Sequence, residues 1–143
     1  MRNTEPSAEA KAAFAKHLLQ HERRVAELPA IREQGVEALQ RLMTVAKRDT
    51  GQSRVVARFL LGCYNGMRFP FDLTDFRLLD YELFDDCLAV LKMDKQPEME
   101  VHQYFKFGGR MFENLASSWR MDDHEKLMGE LHELRRQTGE AKG

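Results

Sequence analysis

Apolar residues recur at helical spacing along nearly the whole chain, and that periodicity is what most constrains its fold. No segment alternates apolar and polar residues in the way a half-buried strand does, and no hairpin signal appears. Residues 7–28 carry Phe14, Leu18, Val25 and Leu28 on one stripe, with Glu22, Arg23, Arg24 and Glu27 supplying charge. Pro29 interrupts this pattern. A proline suits the first turn of a helix and breaks an interior, so a second helix is expected to restart there and run to about residue 47. Its stripe is Ile31, Ala38, Leu39, Leu42, Val45 and Ala46. One long kinked rod is the alternative.

Punctuation divides the rest. Asp49-Thr50-Gly51-Gln52-Ser53 is a break rich in cap residues, and a third helix follows with Val55, Val56, Phe59, Leu60 and Cys63 inward. Asn65-Gly66 is a C-terminal stop, because both residues tolerate the left-handed conformation. Residues 67–73 form a loop in which Phe69 and Phe71 are expected to plug the core, and residues 72–79 a short helical turn. Asp80 reads as the N-cap of a fourth helix. That helix is apolar on more than one side (Leu83, Phe84, Cys87, Leu88, Val90, Leu91), so it is expected at the centre. Gln96-Pro97-Glu98 signals a fifth helix holding Val101, Tyr104 and Phe105 and ending at Gly108-Gly109. A sixth, over 110–119, carries Met111, Phe112, Leu115 and Trp119. Asp122 with Glu125 resembles a capping box that opens a last helix with Leu127, Met128, Leu131 and Leu134.

The expectation is an all-α fold: a single compact domain of six to seven helices over residues 7–137, with its core in residues 50–120. Residues 1–6 and 138–143 are expected to be flexible tails. A chain of 143 residues buries a sizeable core without staples. Its 22 basic and 23 acidic residues nearly cancel, so no global charge pulls it toward nucleic acid or membrane. No apolar run approaches a membrane span and no secretory leader is legible, which gives an expected cytoplasmic setting. Cys63 and Cys87 sit among apolar neighbours and read as buried free thiols, with a disulfide or reactive thiol as the alternative.

Several features bear weakly on chemistry. Lys47, Arg48, Arg54, Arg58 and Arg68 make one stretch basic, and residues 72–100 are acidic. Lys47, Arg48, Arg54 and Arg58 are therefore candidate nucleic-acid contacts, against the simpler reading that the basic helix pairs with the acidic segment of its own molecule. Asp80, Glu82, Asp85 and Asp86 cluster near a helix start, where carboxylates are common for dipole and cap reasons. His17 and His21 share a helical face, but no HExxH pattern or third ligand accompanies them. Gly108-Gly109-Arg110 lacks the rest of a phosphate loop and reads as a turn between helices. Ser117 and Ser118 have no nucleophile-elbow context. No catalytic, cofactor-binding or metal-binding residue is assigned, and no cofactor is implied. Phe76, Tyr81 and Phe107 fit the core stripes least well, which makes them candidate partner contacts, with loop burial as the alternative.

Three segments are distinctive: Gly51-Gln-Ser-Arg-Val-Val-Ala-Arg-Phe-Leu-Leu-Gly-Cys-Tyr-Asn-Gly66, Arg68-Phe-Pro-Phe-Asp-Leu-Thr-Asp-Phe-Arg77 and Leu83-Phe-Asp-Asp-Cys-Leu-Ala-Val-Leu91. With Gly108-Gly109-Arg110 and Trp119, they resemble a small uncharacterised proteobacterial family whose members look like cargo of plasmids and integrative conjugative elements. The resemblance covers roughly residues 50–120 and implies a bacterial, mobile-element setting, with no activity to carry over. The expected function is that of a non-enzymatic accessory or regulatory protein acting through protein–protein interaction. Its partner is unidentified, and a homodimer is one form of it. Nucleic acid is the alternative partner, and no membrane is expected.

Overall fold

The computed structural model describes residues 4–139. Among them there are five α-helices, two 3-10 turns and no strand: α1 Ala8–Ala46, α2 Gly51–Tyr64, a 3-10 turn Leu73–Leu78, α3 Tyr81–Asp94, a second 3-10 turn Val101–Tyr104, α4 Gly108–Ser118 and α5 His124–Thr138. The expected all-α class holds. Of the two expected tails, residues 1–3 and 140–143 lie outside the described residues. Thr138 still belongs to α5, and Gly139 closes that helix in the left-handed conformation (φ 77°).

Helix α1 is one 39-residue element, not two, and Pro29 lies inside it. An interior proline removes one hydrogen bond and crowds the carbonyl four residues back. Here that residue is Val25, on an exposed stretch where water can take the place of the missing donor. The turns that follow are held by tertiary packing, since Gly35, Ala38, Leu39, Leu42, Met43 and Ala46 are buried. Ser7 caps the start by accepting a hydrogen bond from the Ala10 amide at 3.1 Å.

The centre of the core is α2, not the fourth expected helix. Val55, Val56, Ala57, Phe59, Leu60 and Leu61 are all buried on it. By contrast α3 buries Cys87, Val90 and Met93, while Leu88 and Leu91 stay exposed. Helix α3 packs chiefly on the second half of α1. The two helices approach closely at Gly35, where an added Cβ would lie 2.4 Å from the Met93 Cβ. Phe69 plugs the core as expected, and Phe59, Phe71, Phe76 and Phe84 form a ring cluster with centroids 4.9–5.8 Å apart. Trp119 donates its indole N–H to the Ala46 carbonyl at 2.8 Å, satisfying one of the carbonyls orphaned at the end of α1.

Four further helix boundaries differ from expectation. Asn65 ends α2 in an extended conformation (φ −157°), not a left-handed one, and its side chain caps the next turn by accepting from the Arg68 amide. The fifth helix is a single 3-10 turn. Glu100 and Gln103 cap it reciprocally, and Val101, Tyr104 and Phe105 are spent anchoring it to the core. Finally, Gly108 and Gly109 open α4 instead of preceding it. The left-handed residue is Phe107 (φ 55°), and Gly108 is required for close approach, because a Cβ there would sit 1.6 Å from the His102 carbonyl oxygen. The last helix is capped by Asp123, which accepts from the Lys126 amide, so the cap lies one residue later than expected.

Gly108 and Gly109 make a controlled pair. Gly108→Ala forces side chain against backbone and should destabilise the fold by about 3 kcal/mol. Gly109 has nothing within 4 Å of its would-be Cβ, so Gly109→Ala should be neutral or slightly stabilising. Urea denaturation of both variants checks this, and equal effects would contradict the close approach.

Candidate interaction surface

The charged groups weighed from sequence are largely committed to holding the helices together. Arg58 is half-buried and pairs with Asp75 at 3.7 Å, tying α2 to the first 3-10 turn. Arg41 of α1 makes two hydrogen bonds to Asp86 of α3, at 3.2 and 2.9 Å. Asp80 caps α3 by accepting from the Leu83 amide, and the Asp80 amide donates to Gln52 at the start of α2. The acidic cluster is thus split: Asp80 and Asp86 serve the fold, and Glu82 and Asp85 face solvent on α3. Lys47, Arg48 and Arg54 are exposed around the α1–α2 junction and make no salt bridge among the described residues.

The most developed polar cluster was not legible from sequence. Arg68 grips Glu113 of α4 with two parallel hydrogen bonds, at 2.7 and 2.8 Å, and its Nε donates to Asp123 at 2.8 Å. The Tyr64 hydroxyl donates to the same Glu113 carboxylate. The Arg68 guanidinium also stacks over the Phe69 ring, and the Arg68 carbonyl accepts from the His124 amide at 2.8 Å. One side chain therefore ties the end of α2, the middle of α4 and the start of α5. Such planar bidentate pairing favours Arg over Lys. The Arg68 guanidinium and the Tyr64 hydroxyl hold the Glu113 carboxyl below its usual range. Asp123 is likewise lowered, first by the Lys126 amide and then by Arg68.

Other candidates resolve simply. Phe76 packs among Phe59, Phe71 and Phe84, so loop burial accounts for it, whereas Tyr81 and Phe107 are exposed at 86% and 70%. Cys87 is buried and Cys63 half-buried, and both are free. Burial pushes both thiols up to about 12, away from the thiolate a reactive cysteine needs. Among the described residues no group of three His, Cys, Asp or Glu is placed to hold a metal ion. His17 and His21 share an exposed face of α1. Nor is any helix among the described residues long and apolar enough to cross a membrane.

What stands out on the surface is apolar. Over residues 8–30 of α1 every side chain is exposed except Leu28, which is half-buried. That stretch includes Phe14, Leu18 and Val25, exposed at 66%, 45% and 48%. No residue of α5 is buried, and Leu127, Leu131 and Leu134 are exposed at 45%, 38% and 58%. Scattered exposed leucines are ordinary on a protein surface, but two aligned stripes on two projecting helices are not.

The carboxylates around Arg68 make stability depend on pH with a definite sign. Both folded-state values lie below the ordinary 4.5 and 3.8, so the unfolded chain takes up protons first on acidification. Their contribution is complete above pH 4.5 and is lost as the pH falls through the depressed values. Glu113→Gln should lower stability at neutral pH by about 1 kcal/mol, the pair being partly open to solvent, and flatten the loss below pH 4.5. Urea midpoints measured across that range check it, and an unchanged slope would remove Glu113 from the cause.

No match is found among curated proteins or among solved structures. Residues 36–120 match a family described as a family of unknown function, DUF7673. The matched span begins in α1 beside Gly35, where α3 starts to cover that helix, and ends just past α4, so both exposed stripes lie outside it. With more than half of its length matched, the chain belongs to the DUF7673 family.

Proposed function

We propose that this protein acts without catalysis, as an accessory or regulatory factor that binds protein through its two projecting helices. The observation that carries the reading is the pair of uncovered apolar stripes, Phe14-Leu18-Val25 on α1 and Leu127-Leu131-Leu134 on α5. Amphipathic faces of this kind are the usual material of helix-mediated recognition. A supporting point is that the polar clusters best suited to chemistry are engaged in the fold: Asp80 as a cap, Asp86 with Arg41, Asp75 with Arg58, and Glu113 with Arg68. The bacterial cytoplasmic, mobile-element setting belongs to the same reading and rests on the resemblance of the Gly51–Gly66, Arg68–Arg77 and Leu83–Leu91 segments.

A second reading, a nucleic-acid accessory role, is favoured by one observation. Lys47, Arg48 and Arg54 form an exposed cationic group at the α1–α2 junction, with Asp49 as its acidic neighbour. Arg58 contributes less, since it already pairs with Asp75.

One experiment separates the two. Tagged protein is used to capture partners from bacterial lysate, with and without nuclease, beside a Leu18→Glu/Leu131→Glu variant. Both positions are exposed, so the variant should fold like the wild type by circular dichroism. The interaction reading expects a stoichiometric protein partner that survives nuclease and falls about tenfold or more with the variant. Partners that vanish with nuclease, persist in that variant and are lost with Arg54→Glu would transfer the function to the cationic group.

A further inference from the structure

The two bare stripes share one repeat. On α1, Phe14, Leu18, His21, Val25 and Leu28 are separated by alternating steps of four and three. The same phase continues through Arg32 into Gly35, Leu39, Leu42 and Ala46, of which all but Arg32 are buried. The bare stripe is thus the free continuation of a face that is already a helix-packing interface. It becomes bare because α3 ends at Asp94, just beyond the Gly35–Met93 crossing, and Arg32 then turns to the Gln96 carbonyl and Glu98. On α5, Leu127, Leu131, Leu134 and Thr138 repeat the spacing, and no residue of that helix is buried. A four-three repeat of apolar residues is the seam of a coiled coil.

We infer that a second copy of the chain covers both stripes: α1 of one chain lies antiparallel on α5 of its partner, and a two-fold axis repeats the contact. This rests on the interaction reading above and names its partner. This pairing covers both stripes with one repeated contact, whereas α1 on α1 by itself leaves α5 bare and α5 on α5 by itself leaves α1 bare. A two-fold pairing is closed, so it ends at the dimer.

Use of the α1 stripe sets the register, and charge favours the direction. In the register that uses the whole α1 stripe, Val25 faces the partner's Leu127, His21 the partner's Leu131, Leu18 the partner's Leu134 and Phe14 the partner's Thr138. Flanking positions on the same side of such a seam then meet, and Arg24 faces the partner's Glu130. Arg24 is free to do so, since its side chain is 81% exposed and its own-chain Glu27 lies 4.0 Å away. Parallel pairing of α1 with α5 fails this test, because its registers oppose Arg24 to Arg135 or Glu22 to Glu130. Antiparallel pairing of α1 with itself about its own Glu22–Arg24 segment fails as well, opposing Glu22 to Glu22 and Arg24 to Arg24.

Sedimentation velocity on the purified full chain tests the inference without any other partner present. A dimer is expected at about 100 µM or below. Arg24→Glu and Glu130→Arg should each weaken dimerisation about tenfold, and the double exchange Arg24→Glu/Glu130→Arg should restore it. Both substituted positions are on exposed helix surface, and circular dichroism is to check that each of the three variants is folded. A monomer at about 100 µM, or a dimer indifferent to both single reversals, overturns the inference. A monomeric chain that still captures a nuclease-resistant partner from lysate would overturn the second copy alone. A charge-dependent dimer that captures nothing would instead uphold it and remove the separate partner.

Discussion

The packing of α3 on the second half of α1 is the contact on which the rest of the structure depends. It buries Leu39 and Leu42 on one side and Cys87, Val90 and Met93 on the other. Each such side chain is worth about 2 kcal/mol relative to exposure. Gly35 lets the two backbones approach, and the Arg41–Asp86 pair closes the edge. Helix α2 packs on α1, sets Phe59 against Phe76 of the 3-10 turn at Leu73–Leu78, and sets Tyr64 at its end against His102 and Phe112. Trp119 then locks α4 to the end of α1. A 39-residue helix would be marginal in its first half from propensity alone, so the packed second half also acts as the nucleus from which the first half extends.

A second constraint hangs from the first. Arg68 lies just past α2, and its fork reaches α4 and α5 together. Helix α5 has no buried residue of its own, so its position depends on the anchor at its start: the Asp123 carboxylate on Arg68 and the His124 amide on the Arg68 carbonyl. Partial burial strengthens such pairs but also makes a lone partner costly. Loss of Arg68 would therefore free α5 and strand Glu113 at once.

The helical class and the inward roles of Phe69, Phe112, Leu115 and Trp119 were legible in the sequence, because local periodicity and cap chemistry carry that information. At Pro29 the second of the two readings, one continuous helix, holds for a physical reason. Proline reports what the local backbone prefers, whereas an exposed site tolerates the missing bond once packing holds the turns that follow. Only the continuous reading shows the unbroken four-three repeat from Phe14 to Ala46, which splits into two unrelated stripes when counting restarts at residue 29. Gly108 was assigned to a turn, but its need is the His102 carbonyl, a contact that no spacing announces. The Arg68–Glu113–Asp123 cluster joins residues 45 and 55 positions apart, and neither a motif nor a period marks it. The charge of the basic stretch is plain in the sequence. Which cations are spent inside the fold, such as Arg58, depends on facing elements that only tertiary structure supplies.

The span shared with the family and the covered part of the molecule nearly coincide. Residues 36–120 contain α2, α3, α4, both 3-10 turns and the buried half of α1. Outside it lie the first half of α1 and all of α5, whose apolar residues contribute nothing to that core. Two demands are therefore separated along the chain: a core that folds by its own packing, and two arms whose leucines and phenylalanine are left facing water. Exposed apolar side chains on a regular seam carry a cost in solubility that folding does not require. The cost is offset only when another helix occupies the seam, and the two arms of a single chain make no extensive contact with each other. The physical question posed by the fold is thus what lies on those arms, and it is set by residues 8–30 and 124–138, away from the polar clusters that hold the core together.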